Sequence, residues 1–159
     1  MEAKLTKRET WLFALGDLYG GGGQTIISIL YLIFLTDIIG VDPAIAGTVI
    51  FISKAWDAIN DPLMGTISDN TRSRIGRRRP YILIGGILLV PALALLWLPH
   101  SITSDLGKTI YVLATYLFYF TVNTLIMVPY SSMSAEIAFD FHDRNKVNTL
   151  RLVISLAST

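Results

Sequence analysis

The 159-residue sequence is 52% hydrophobic and only 16% charged, with a net charge of +1 and a mean hydropathy of +0.54. That balance is too apolar for a soluble domain of ordinary composition. The absence of cysteine excludes disulfides and thiolate metal sites.

Stretches nearly free of Asp, Glu, Lys and Arg run from Thr10 to Thr36, Pro43 to Ile67, Pro80 to Ser104 and Thr109 to Ala135. Each is long enough to cross about 30 Å of hydrocarbon at about 1.5 Å of rise per helical residue. A fifth apolar run begins near Val147 and reaches Thr159, giving roughly 20 Å of helix, short of a full crossing. The expected fold is therefore all-α and integral to the membrane. Four complete transmembrane helices are expected at about 11–36, 44–67, 80–99 and 109–133, and the start of a fifth at 147–159. A helix stopping inside lipid leaves its last carbonyls unsatisfied, which points to a fragment or truncated reading frame. The first apolar run is too long for a signal-peptide core and lacks a small-residue cleavage pattern, so it is expected to stay attached.

Positive charge is distributed unevenly. Lys4, Lys7 and Arg8 precede the first helix, Arg72, Arg74, Arg77, Arg78 and Arg79 lie between the second and third, and Arg144, Lys146 and Arg151 follow the fourth. The alternate loops hold only Lys108. Because cytoplasmic loops collect Lys and Arg, this pattern predicts a multi-pass protein with its N-terminus in the cytoplasm.

Along the first helix, Gly16 and the run Gly20 to Gly23 permit close approach of another backbone or a ligand. Asp17 sits beside them, and a carboxylate that accepts two hydroxyl hydrogen bonds suits vicinal sugar hydroxyls. A pair with a base from another helix is the structural alternative. The second helix carries Lys54, Asp57, Asn60 and Asp61 at offsets of three and four, close to one face. Two carboxylates this near each other repel when both are ionised, so the stripe has the electrostatics of a cation-coupling site, open to Na⁺ or to a proton. The structural alternative is a Lys54–Asp57 ion pair, with Asp61 bonded to a neighbouring helix. Pro62 removes the donor for the Ala58 carbonyl and predicts a kink or wet spot near Asp61. Pro91 and Pro129 predict similar bends in the third and fourth helices. Between the second and third helices, topology and anionic lipid account for the arginines, and a contact from Asp69 to Arg77 or Arg78 is a candidate latch. Membrane spans on both sides exclude a nucleic-acid reading of that charge run.

The motif Trp56-Asp57-Ala58-Ile59-Asn60-Asp61-Pro62 is followed by Asn70-Thr71-Arg72-Ser73-Arg74 and Pro80-Tyr81-Ile82-Leu83-Ile84-Gly85. The chain thereby resembles the glycoside-pentoside-hexuronide:cation symporters, the melibiose-permease branch of the major facilitator superfamily (MFS), over essentially its whole length. The resemblance implies a twelve-helix protein of two six-helix halves in the cell's inner membrane, with alternating access and sugar uptake driven by Na⁺, H⁺ or Li⁺. These residues would form an incomplete N-terminal half, inactive without the missing C-terminal helices or a partner chain. It further implies cation binding by Asp57, Asn60, Asp61 and Thr124, and sugar binding by Asp17 and Arg151. Met127 and Ser131 stand where melibiose permeases carry a second sugar-binding acid and a stacking tryptophan, which leaves Asn123 and Tyr130 as substitute contacts. The expected partners are a sugar or glycoside, the coupling cation and membrane lipids, with no cofactor and no metal beyond Na⁺. The alternatives are another MFS carrier, such as a proton-coupled exporter, and a non-transporting membrane subunit or channel. No nucleophile–base pair or metal-ligand set suggests an enzyme.

Overall fold

The computed structural model describes residues 6–99, 102–137 and 141–159. Lys4 of the charge pattern and His100 lie outside these residues. The described residues are helical and divide between two compact units, one of Met1–Tyr31 with Ser131–Thr159 and the other of Leu32–Tyr130.

In the first unit α1 (Lys7–Ala14) starts at a reciprocal cap. The Thr6 hydroxyl accepts from the Glu9 N–H at 3.3 Å, and the Glu9 carboxylate accepts from the Thr6 N–H at 2.9 Å. A wider π-helical turn over Tyr19–Gly23 leads into α2 (Gln24–Ile33). The glycines mark the place where another helix comes closest. On α6 (Phe141–Ser158), the Ser158 hydroxyl accepts from the Gly22 N–H at 3.0 Å. A Cβ added to Gly21 would stand 2.5 Å from the Ser155 carbonyl oxygen, and one added to Gly22 would collide with the Ser158 carbonyl oxygen. Small residues thus let two backbones touch. The helix α6 begins before the apolar run at Val147, and its polar first turns carry an Asp143–Lys146 pair at 3.6 Å. Apolarity marks where a helix meets lipid, not where it starts.

In the second unit, a π-helical turn over Phe34–Ile38 and a positive-φ Gly40 precede α3 (Pro43–Asn70). Asp42 caps α3 through the Ala44 N–H at 2.8 Å, and Pro43 occupies the first helical turn. The helix runs unbroken through Pro62, as α4 (Arg79–Trp97) does through Pro91 and α5 (Asp105–Ile137) through Pro129. Packing of α4 on α5 uses Gly85, where a Cβ would stand 2.5 Å from the Ile126 side chain. Phe34 meets Trp97 edge to face at 5.1 Å, and the Tyr111 hydroxyl donates to the Leu95 carbonyl at 3.1 Å.

Among the described residues, three stretches are long and apolar enough to cross a membrane: Arg8–Ile38, Arg79–Trp97 and Asp105–Ser134. The 28-residue α3 has the length but not the apolarity, because Lys54, Asp57, Asn60 and Asp61 interrupt it. Ser53, Asn123 and Thr124 are buried alongside an apolar interior, and large apolar side chains such as Phe51, Ile87 and Val90 are exposed. Lipid is the solvent that suits such a surface.

The close crossing at Gly22 generates a test. The Gly22→Ala variant is expected to lose about 1–3 kcal/mol, because the obstructing atom is backbone. Gly47→Ala, at an exposed helical position with open space around it, is expected to be neutral or to gain about 0.5–1 kcal/mol. Thermal unfolding of the two variants in the same detergent checks the contrast.

Candidate functional site

Among the described residues polar contacts gather at three places, two in the second unit and one in the first. In the second unit, Asp57 and Asp61 are one turn apart on α3 and share the Thr124 hydroxyl of α5, at 3.2 Å and 2.9 Å to their respective Oδ1 atoms. A hydroxyl has one proton to give, so it hydrogen-bonds one carboxylate fully at any moment. Two carboxylates close enough to share one donor repel when both are ionised, and a cation or a proton relieves that repulsion. Asn60 lies on the same helix one residue before Asp61, and its Nδ2, a donor, is buried without a hydrogen-bond partner among the described residues.

The neighbouring side chains hold α3 against α5. The Trp56 indole donates to the Thr121 hydroxyl at 3.0 Å, one turn before Thr124. The Lys54 ammonium lies over the Phe120 ring, 4.7 Å from its centroid. Of the structural alternative raised by the sequence, one part is present and one is not: Asp61 does bond a neighbouring helix, through Thr124, whereas Lys54 and Asp57 form no salt bridge among the described residues. Phe120 packs edge to face with Tyr116 at 4.9 Å and with Tyr119 at 5.7 Å, which gives the lysine a rigid apolar floor. Among the described residues no group of three or more His, Cys, Asp or Glu is arranged to hold a metal ion.

At the far end of α3, Arg78 donates through Nη2 and Nε to Asp69 Oδ1, at 2.5 Å and 3.1 Å. Beside it the Thr71 and Tyr81 hydroxyls are 2.6 Å apart. Of the two candidate latch arginines, Arg78 is drawn inward to this pair, whereas Arg77 is exposed.

In the first unit, Asp17 on the segment after α1 meets Arg151 on α6 in a two-point pair, Nε to Oδ2 at 2.6 Å and Nη2 to Oδ1 at 3.3 Å. Both side chains are largely buried, and the guanidinium carbon lies 5.6 Å from the Phe13 ring centroid. The pair forms one wall of a cleft of about 350 Å³ that Asn148, Leu152 and Ser155 also line. Sequence reasoning missed Asn148 and Ser155. Their spacing from Arg151, three residues before and four after, puts all three on one helical face and was the available signal. Asn123 and Tyr130 are buried on α5 in the second unit, a different unit from Asp17 and Arg151.

The chain is thus an all-helical membrane protein with acids embedded between its apolar stretches. The sequence profile of the family described as MFS/sugar transport protein matches residues 12–159, and the chain belongs to this family. It is 34% identical over 152 residues to an uncharacterized symporter of Synechocystis, covering 92% of this chain and 28% of the relative. It is 32% identical over 156 residues to YagG of Escherichia coli, named as a glycoside/cation symporter, covering 98% and 34%. To the sodium-dependent lysophosphatidylcholine symporter 1-B of Danio rerio it is 29% identical over 168 residues, covering 99% and 32%. The chain spans about a third of the length of these relatives. The resemblance carried by residues 56–62 and 70–85 accords with the symporter names.

Removing one partner of a buried pair leaves the other charge uncompensated. Arg151→Gln is therefore expected to cost roughly 3–5 kcal/mol, and Asp17→Asn combined with Arg151→Gln substantially less. A double-mutant cycle by thermal or denaturant unfolding in detergent measures the coupling.

Proposed function

We propose that the chain is the N-terminal part of a secondary active transporter of the inner membrane that couples a monovalent cation to uptake of a sugar or glycoside. The observation that carries this reading is the Thr124 hydroxyl held between Asp57 and Asp61, with the Asn60 amide buried beside them on the same helix. On this reading Asp57, Asn60, Asp61 and Thr124 take Na⁺, Li⁺ or H⁺ through oxygen atoms and relieve the repulsion between the carboxylates. The Asp17–Arg151 pair serves the sugar, with hydroxyls bonding the outer lone pairs of Asp17 and the remaining guanidinium N–H groups. The Asp69–Arg78 clasp holds α3 to α4 in one state of the transport cycle and opens in another, and Arg77 backs it.

The same reading makes α3 a complete transmembrane helix in spite of its polar stripe, so that four full crossings precede α6, and it puts the N-terminus in the cytoplasm. Alternating access needs two halves, and the relatives are about three times as long as this chain. The 159 residues by themselves therefore do not transport. A second reading, in which the substrate is a lysophospholipid, is favoured by the Danio rerio relative's name and keeps the same cation cluster.

Cation titration tests the core of the proposal. Na⁺ or Li⁺, against choline at constant ionic strength, is expected to raise the melting temperature of the purified chain. The stabilisation is about 1.4 kcal/mol at ten times Kd. Asp57→Asn combined with Asp61→Asn is expected to abolish the response. A wild-type chain that responds to neither cation nor acidification would overturn the coupling-site assignment.

A further inference from the structure

Lys54 is the only basic residue of the 28 in α3, and it stands one turn before Asp57 on the face that also carries Asp61. Its ammonium makes no hydrogen bond or salt bridge among the described residues and lies over the Phe120 ring of α5, 4.7 Å from the centroid. The side chain is exposed, so the ring is what holds it. A ring face holds an ammonium less firmly than a carboxylate does, and such a seat is one that a lysine can leave.

The two helices set a second seat beside the first. Phe120 is four residues before Thr124, one turn away on the same face of α5, much as Lys54 is one turn before Asp57 on α3. The Lys54–Phe120 contact and the sharing of Thr124 by Asp57 and Asp61 are therefore adjacent rungs between the same two helices. The Trp56–Thr121 hydrogen bond of 3.0 Å keeps those rungs in register. Residues three apart on a helix have Cβ atoms about 5–6 Å apart, and a lysine has a flexible four-carbon stem, so the ammonium reaches Asp57 by rotating that stem with neither backbone moving. Phe120 itself is fixed, because Tyr116 packs against it edge to face at 4.9 Å and Tyr119 at 5.7 Å. One ammonium thus faces two seats, a rigid aromatic face and a pair of carboxylates that share a single hydroxyl.

We propose that Lys54 is a tethered competitor for the coupling cation, an inference that rests on Asp57 and Asp61 forming the cation site. With Na⁺ or Li⁺ on the carboxylates, Lys54 sits on Phe120. When the metal ion leaves, the ammonium moves one turn to Asp57 and neutralises one of the two charges. Phe120 is a positioning residue: by seating the ammonium away from the acids it raises the fraction of molecules able to take the ion, and apparent affinity scales with that fraction.

Melting of the detergent-purified chain against Na⁺ and Li⁺, with choline holding the ionic strength, gives an apparent Kd for each variant. Lys54→Met is expected to tighten it about five- to tenfold, whereas Lys54→Arg, which keeps the charge, does not tighten it. Phe120→Leu is expected to weaken it about three- to fivefold. That loss disappears in the Lys54→Met background, because the ring acts only through the ammonium. A fixed charge that merely repels the ion would give the first result and neither of the Phe120 results. A wild-type chain that responds while Lys54→Met leaves Kd unchanged or weaker overturns the competition and spares the cation site. The competition is equally overturned if Phe120→Leu has no effect, or weakens Kd equally with and without Lys54. A silent wild type beside a responsive Lys54→Met supports it, and silence of both toward Na⁺ and Li⁺ overturns it together with metal-ion binding at the acids. Phe120→Met replaces Phe120→Leu if the latter fails to fold.

Discussion

Hydrocarbon offers no hydrogen bonds, so every charged group carried on an apolar helix has to find its partner within the protein. In the first unit that demand joins Asp17 to Arg151, and α6 comes near enough to meet it only because Gly21 and Gly22 present bare backbone to Ser155 and Ser158. In the second unit it joins Asp57 and Asp61 to Thr124, with the Trp56–Thr121 hydrogen bond one turn away holding the two helices in register. At the end of α3 it joins Asp69 to Arg78. The helix contacts and the polar contacts are two aspects of one requirement.

The clusters differ in how completely they are satisfied. Asp17 and Arg151 neutralise each other through two hydrogen bonds, and the result is a rigid, polar wall with no net charge to attract an ion. The α3 acids have one hydroxyl between them, and the nearest cation on their own helix, Lys54, rests on the Phe120 ring. Such a cluster keeps a standing demand for positive charge. The proposed assignment, the ion to α3 and a hydroxyl-bearing solute to the Asp17–Arg151 cleft, rests on that asymmetry.

The segment between α3 and α4 shows the same rule on a smaller scale: Arg78 is buried against Asp69, while Arg72, Arg74 and Arg79 are exposed.

The amino-acid sequence by itself determined that this is a helical membrane protein, because apolar runs of spanning length are a one-dimensional signal that needs no tertiary contact. It also determined that α3 carries the charged stripe, since spacings of three and four residues fix a helical face. The family followed from the motif at Trp56–Pro62 and its continuation. Only the tertiary structure decided who partners whom. The bond from Thr124 to both acids crosses more than sixty positions of sequence, and the Arg151 pair with Asp17 crosses 134. No periodicity reports such distances. One local reading also needed the third dimension: Lys54 lies over the Phe120 ring, which another helix supplies, and forms no salt bridge with the carboxylate one turn away.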